Sequence, residues 1–180
     1  PPGVEQIHDT RLQMLNGVLD AAVGPRAPSL TLADLACNQG WFALHMAKRG
    51  FREVLGADQR TNLLEDATLM AGALGAARFR TQQVDIEEAT PASIGQHDVT
   101  LMLGLLYHLE NPVRALRLAR AITREVFVIE TQVVPHMSGM VDWGSYLFQR
   151  PMVGSFGVVD ETESGASGDG QRARSKTGSR

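Results

Sequence analysis

Acidic residues close three apolar runs in the first half of the chain, and a tyrosine and a histidine follow a fourth. Leu32 to Leu35 carries Asp34 and stops in the small-residue turn Ala36-Cys37-Asn38-Gln39-Gly40. V-L-G-A ends at Asp58, V-D-I holds Asp85, and L-M-L-G-L-L-Y-H ends with Tyr107 and His108. In an open α/β sheet, ligands enter the crevice beyond the carboxyl ends of the strands, and an acid there takes ribose hydroxyls. Asp58 is the candidate for that contact, and the turn before Trp41 is where backbone would approach a nucleoside. Imidazole titrates near neutrality, at about 6.5, so His108 is a candidate for taking a proton from a hydroxyl or amine acceptor. Each residue also has a plain structural reading. Asp34 would cap the loop or the Trp41 helix, and Asp58 the helix after it. Asp85, with Glu87 and Glu88, would be a solvated acidic turn; His108 would bond a loop carbonyl; Tyr107 would be a core aromatic with a satisfied hydroxyl.

The turn after Asp34 is not a dinucleotide fingerprint. That motif wants three glycines so that backbone reaches a pyrophosphate over a helix N-terminus. Here the glycine slots hold Ala36, Asn38 and Gly40. Asn38 tolerates positive φ, and the pattern suits a nucleoside ligand without phosphates. The missing glycines argue against a nicotinamide oxidoreductase, the runner-up enzyme class on such a sheet.

The elements that must position these residues alternate along the chain. Val4 to Ala22 has apolar residues at largely helical spacing and stops before Gly24-Pro25, so it is expected to be an N-terminal helix. The first strand is expected near Leu30 to Ala36. A helix follows from Trp41 to Arg49, stopped by Gly50, then a strand over Glu53 to Ala57, a helix over Asn62 to Leu74 and a strand over Ala77 to Val84. A variable helix or loop runs through Pro91. The fourth strand begins at His97 and ends at Leu103, a run of the kind buried on both faces. Asn111-Pro112 opens a helix with proline in its first turn, and V-F-V-I-E-T, Val126 to Thr131, is the fifth strand. Five strands separated by helices imply parallel crossovers and a Rossmann-like, doubly wound α/β fold with a mostly parallel sheet.

Asp34, Ala36, Asn38 and Gly40 together resemble the first motif of the class I S-adenosylmethionine-dependent methyltransferases, an acid followed by alternating small residues and a final glycine. The resemblance covers roughly residues 12–134. It implies S-adenosyl-L-methionine as cofactor, held by Asp34 and the backbone at Ala36, Asn38 and Gly40. Asp58 would hold the ribose hydroxyls and Asp85 would meet the adenine, with Gln59, Ile86 and Leu103 further candidates for contact with the cofactor. L-Y-H, the proline soon after it and E-T in V-I-E-T-Q-V-V are similar to a narrower group that includes the tRNA wobble-uridine carboxymethyltransferases. The cationic side chains that hold a carboxylated cofactor in the tRNA enzyme have no recognisable counterpart in this sequence. Methyl transfer needs alignment more than a base, because the cofactor carries an activated leaving group.

Composition sets the bounds. The chain has 180 residues, 43% of them apolar, which suits one domain with a sizeable core. Its net charge of -3 gives no general reason for nucleic-acid binding, so a small-molecule acceptor is favoured and tRNA stays an alternative. Cys37 is the only cysteine, which excludes an internal disulfide and a multi-cysteine metal site and fits a reducing, cytoplasmic setting. No metal is expected, and no run is long enough to span a membrane; the sequence is silent on oligomeric state. One domain over residues 1–160 is expected: 1–29 as helix and lead-in, 30–132 as the cofactor-binding core, and 133–160 as a lid or substrate segment, with 161–180 a disordered basic tail. The last two strands usual in this fold are expected to be missing or altered, which would leave the fifth strand at an exposed edge. A non-catalytic cofactor-fold module is the alternative to an enzyme.

Overall fold

A computed structural model describes residues 3–133 and the backbone of residues 140–143 and 146–151. The chain divides into two compact units, residues 1–131 and 132–180. In the first, five parallel strands stand in the order β3-β2-β1-β4-β5. They are β1 (Thr31–Leu35), β2 (Glu53–Asp58), β3 (Phe79–Gln83), β4 (His97–Leu103) and β5 (Thr123–Glu130). The helices are α1 (Val4–Ala22), α2 (Trp41–Arg49), α3 (Thr61–Ala73), the single turn α4 (Pro91–Ile94) and α5 (Pro112–Ile122). In the second unit β6 (Met140–Trp143) and β7 (Tyr146–Pro151) form an antiparallel two-stranded sheet of their own. The lid or substrate segment otherwise lies outside the described residues, as does the tail from Glu161.

The period-2 alternation of the central strands builds two cores. Leu32, Val54, Val99 and Leu101 face one side, where Leu15 and Leu19 of α1 and Phe42, Ala43 and Met46 of α2 cover them. Ala33, Leu35, Leu55, Ala57 and Met102 face the other, under Ile94 and the Ala115, Leu118, Ala119 and Ile122 stripe of α5. Every residue of β1 is buried, as expected for a parallel strand with helices on both faces. Asn111 caps α5 by accepting the Arg114 N–H at 3.0 Å, with Pro112 in the first turn.

Most expected elements stand within two residues of their places. The fifth strand begins earlier, at Thr123 rather than Val126, because α5 passes into it directly, and the Thr123 hydroxyl bonds the Ala119 carbonyl (2.6 Å) and the Thr100 hydroxyl (2.7 Å). Two 3-10 turns, Gly24–Ser29 and Leu106–His108, have no counterpart in the expected elements. The first follows from Pro25 and Pro28, and the second places Tyr107 and His108 on one short turn.

Candidate functional site

Strand order reverses between β1 and β4, and the loops leaving both open at the same, carboxyl end of the sheet. This is the switch point at which doubly wound sheets bind ligands. Asp34 pairs in register with Gly56 of β2 on one side and Leu101 of β4 on the other.

All three slots of the small-residue turn adopt the left-handed conformation: Ala36 at φ 61°, Asn38 at φ 55° and Gly40 at φ 79°. The sequence lacks the first two glycines, yet the backbone takes the path glycines would permit. For Ala36 this stores about 1 kcal/mol or more of strain. The turn is pinned regardless. Cys37 N–H donates to the Ala57 carbonyl, Asn38 N–H to Asp58 Oδ2 and Gly40 N–H to the Cys37 carbonyl, each at 2.9 Å, and Gln39 N–H donates to Asn38 Oδ1 at 2.8 Å. Gly56 is required beneath it: a Cβ there would lie 2.8 Å from the Phe79 ring and 2.9 Å from Cys37 Sγ. Cys37 is therefore a packing residue. Burial and the nearby Asp34 and Asp58 push its thiol well above the usual range.

Asp34 is 3% exposed, and burial pushes its carboxyl up to about 7, with the Ala43 backbone and Arg11 pulling down and Asp58 pushing up. Asp58 is equally buried but ends in the opposite state. Burial alone would raise it, but hydrogen bonds from Arg60 and Asn38 outweigh that and hold it below the usual carboxylate range. Arg60 forks onto it, Nε to Oδ1 at 3.0 Å and Nη2 to Oδ2 at 3.2 Å. Neighbouring acids with opposed shifts are more common at functional sites than on plain surface.

The other candidates are more dispersed. Gln59 is exposed, and its carbonyl accepts the Gln83 side-chain N–H at 3.2 Å. Asp85 is exposed at the turn after β3, where its Oδ1 accepts the Glu87 N–H at 3.0 Å. Ile86 beside it is buried, and Leu103 is half-buried on the α1 side of the sheet. Glu87 Oε1 accepts the Asn111 N–H at 2.8 Å, which ties the loop after β3 to the start of α5. Tyr107 and His108 are exposed, with ring centroids 4.4 Å apart. Asp34, Ala36, Asn38, Gly40 and Asp58 thus form one constellation, while Asp85 and the Tyr107–His108 pair stand at adjacent strand ends.

Sequence reasoning missed three charged residues. Arg11, on α1, lies 5.0 Å from the Phe42 ring centroid and 2.6 Å from Glu130 at the end of β5. A Cβ placed on Gly104, which has φ 71°, would sit 3.1 Å from the Tyr107 hydroxyl, 3.3 Å from Arg11 Nη2 and 3.6 Å from Glu130 Oε2, so three polar heads converge over that glycine. Arg11 Nε is buried without a hydrogen-bond partner. A cation with an idle donor beside Asp34 suits the amino-acid end of an adenosyl cofactor. Arg11 looks in the sequence like any solvated helix charge. Glu130 stood in the shared E-T word and Arg60 two residues after Asp58, and neither had a chemical assignment. No group of three potential metal ligands occurs among the described residues.

A switch-point crevice with a left-handed small-residue turn and an acid at the end of the second strand defines the Rossmann-like class I methyltransferase fold. The chain belongs to the family described as methyltransferase domain, whose model matches residues 32–125. It is 31% identical over 111 residues to the tRNA U34 carboxymethyltransferase of Marinobacter nauticus, covering 61% of this chain and 33% of that protein. It is 25% identical over 121 residues to the ubiquinone biosynthesis O-methyltransferase of Acinetobacter baylyi, covering 67% of this chain and 48% of that protein. The chain thus spans between a third and a half of the length of these relatives. Among solved structures, the N-terminal domain of EvdMO1 with S-adenosylhomocysteine (SAH) bound aligns with TM-score 0.53 and 25% identity over 67% of this chain and 48% of that one. Magnesium protoporphyrin IX methyltransferase from Synechocystis, also with SAH bound, aligns with TM-score 0.60 and 17% identity over 72% and 60% of the two chains. S-adenosylmethionine is the cofactor of this family, and the pinned turn, Asp34 and the idle donor of Arg11 fit it.

Proposed function

We propose that the chain is the catalytic core of an S-adenosylmethionine-dependent methyltransferase acting on a small-molecule acceptor. The observation that carries this reading is the turn at residues 36–40, held in a glycine-like path by Asp58, the same carboxylate that suits a ribose. In this reading Asp34 and Arg11 take the ammonium and carboxylate of the cofactor. Asp58 and Gln59 take the ribose, Asp85 and Ile86 border the purine, and Leu103 lies beside the cofactor at the end of β4. When bound, the cofactor supplies a methyl group on a sulfonium leaving group. The chain's own residues orient the partners: Tyr107 and His108 stand on the acceptor side, where His108 is placed to receive the proton that a hydroxyl or amine gives up as its new bond to carbon forms.

Titration of the full chain with SAH tests the site. Asp58→Ala is expected to weaken binding by about 1.5–3 kcal/mol, the range for charge-assisted hydrogen bonds. Unchanged affinity would remove Asp58 from the cofactor site, and no binding by the parent chain would favour a non-catalytic module.

A second reading, a tRNA-modifying enzyme, has the Marinobacter relative in its favour. The net charge of -3 weighs against it, because phosphate backbones are gripped by clustered cations. The buried, lone Cys37 fits a reducing compartment.

A further inference from the structure

The carboxylate assigned to the ribose already has a full complement of donors. A carboxylate offers about four lone-pair positions. On Asp58 they meet Asn38 N–H at 2.9 Å, Arg60 N–H at 3.0 Å, Arg60 Nε at 3.0 Å and Arg60 Nη2 at 3.2 Å. A ribose diol donates two further hydrogen bonds, so one pair of donors must leave. The two backbone donors belong to the pinned turn and to the entry into α3, and cannot leave without unmaking both. The guanidinium can leave: its side chain is 35% exposed while the carboxylate is 2% exposed. Arg60 is the residue preceding the first turn of α3, where its side chain makes no capping bond and where the helix dipole disfavours a cation. A serine or aspartate there would cap the helix. The fork onto Asp58 helps to offset both disadvantages.

We propose that Arg60 is a resident occupant of the ribose subsite, so that cofactor loading is an exchange in which the 2′,3′-diol replaces the Arg60 guanidinium on Asp58. This deepens the assignment of Asp58 to the ribose and rests on it. Arg60 then lowers cofactor affinity rather than contributing to it, and it keeps the buried carboxylate ionised and oriented while the pocket is free. The exchange also makes loading sensitive to salt, because ions weaken the internal pair while the neutral hydroxyls that replace it are indifferent to them.

The test is titration of the full chain with SAH at low and moderate sodium chloride, for the parent, Arg60→Met and Asp58→Asn. Arg60→Met is expected to bind about three- to tenfold more tightly at low salt, the worth of one charge-assisted fork. The parent should gain affinity relative to Arg60→Met as salt is added. Equal or weaker binding by Arg60→Met overturns the proposal and makes Arg60 a bystander or a cofactor contact. Asp58→Asn is also titrated in the Arg60→Met background, where no guanidinium competes: if that double variant binds as tightly as Arg60→Met alone, the ribose assignment itself fails. If the double variant is weakened and Arg60→Met is not tighter than the parent, only the exchange fails. A readout free of folding effects is the Nε–H resonance of Arg60 in arginine-labelled protein, assigned by its loss in Arg60→Met. It should shift to a solvent-exposed position at saturating SAH, and an unmoved resonance overturns the exchange.

Discussion

Arg11 of α1 and Glu130 of β5 are 119 residues apart in the chain and meet at 2.6 Å across the open end of the sheet. The pair fastens the N-terminal helix over the crevice. A half-exposed ion pair contributes little stability, on the order of 0–1 kcal/mol, so its value lies in placement. Arg11→Met is expected to weaken SAH by about 1.5–3 kcal/mol through loss of a charged partner for the ligand carboxylate, with only a small change in melting temperature. Glu130→Gln should leave SAH affinity within about threefold of the parent, or tighten it by freeing Arg11. Calorimetric titration of both variants decides the matter. Arg11→Met with unaltered affinity would show that the arginine serves the fold alone.

Asp34 gives the site a pH dependence of defined sign. Its carboxyl is pushed up to about 7 in the folded chain from an ordinary value of 3.8, chiefly by burial. The folded state therefore keeps a proton that the unfolded state releases. This contribution to stability is complete below pH ~4 and is lost as pH rises toward about 7, beyond which it no longer changes. Asp34→Asn should therefore melt higher than the parent at pH 8, by an amount on the order of a few kcal/mol, with the difference vanishing at pH 4. Binding of SAH near pH 6.5 should release protons as the ligand's ammonium draws the carboxylate into its ionised form. Titration in buffers of different ionisation enthalpy would reveal it, and zero proton release would separate Asp34 from the ligand.

His97, at the opposite end of β4, makes acid a hazard to the fold. It is 4% exposed, with both ring nitrogens buried. Burial lowers its basicity and the neighbouring Arg80 and Arg124 push the same way, against the Ile94 backbone and Glu53. The unfolded chain therefore takes up a proton that the folded chain refuses, and stability falls as pH drops from about 6.5 toward the lower folded value. His97→Phe should remove that part of the acid loss, seen as a flatter melting temperature between pH 7 and 5. An unchanged slope would place the acid sensitivity elsewhere.

Ala36 and Gly56 sit within one turn of the ligand loop yet respond to substitution for different reasons. Ala36 pays for a left-handed backbone at φ 61°, so Ala36→Gly should be neutral or stabilising by up to about 1 kcal/mol, and Ala36→Val destabilising by about 2 kcal/mol or more. Gly56 has an ordinary backbone but no room, since the Phe79 ring and Cys37 Sγ stand within 3 Å of where a Cβ would be. Gly56→Ala should cost about 1–3 kcal/mol by overpacking. Urea denaturation of the three variants would separate strain from crowding.

Much of this was legible in the sequence because local patterns and tertiary demands agree. The spacing of apolar residues fixed α1 and α2 to the residue, and the buried run at β4 announced a strand covered on both faces. Asp34 and Asp58 could be found because each interrupts or ends such a run. Arg11, Arg60 and Glu130 could not, since a lone charge on a helix, after a strand or at its end has no periodicity, and only the folded sheet shows what stands opposite. The path of Ala36 was hidden for another reason. Alanine rarely turns left-handed, and what forces it is the set of loop bonds to Ala57 and Asp58, which exist only after β1 and β2 pair. The direct passage of α5 into β5 was equally invisible, because Thr123 ends one element and begins the next.

The bond from the Asn111 N–H to the Glu87 carboxylate joins the loop after β3 to the start of α5, at the corner proposed for the purine, and involves none of the groups proposed to change partners. In the proposed site that corner keeps its bonds on loading, whereas Asp58 and Arg11 would exchange theirs. An adenine-shaped fragment should therefore meet a surface ready to receive it, and the thermal signature of full cofactor binding should be dominated by rearrangement at the other end of the molecule.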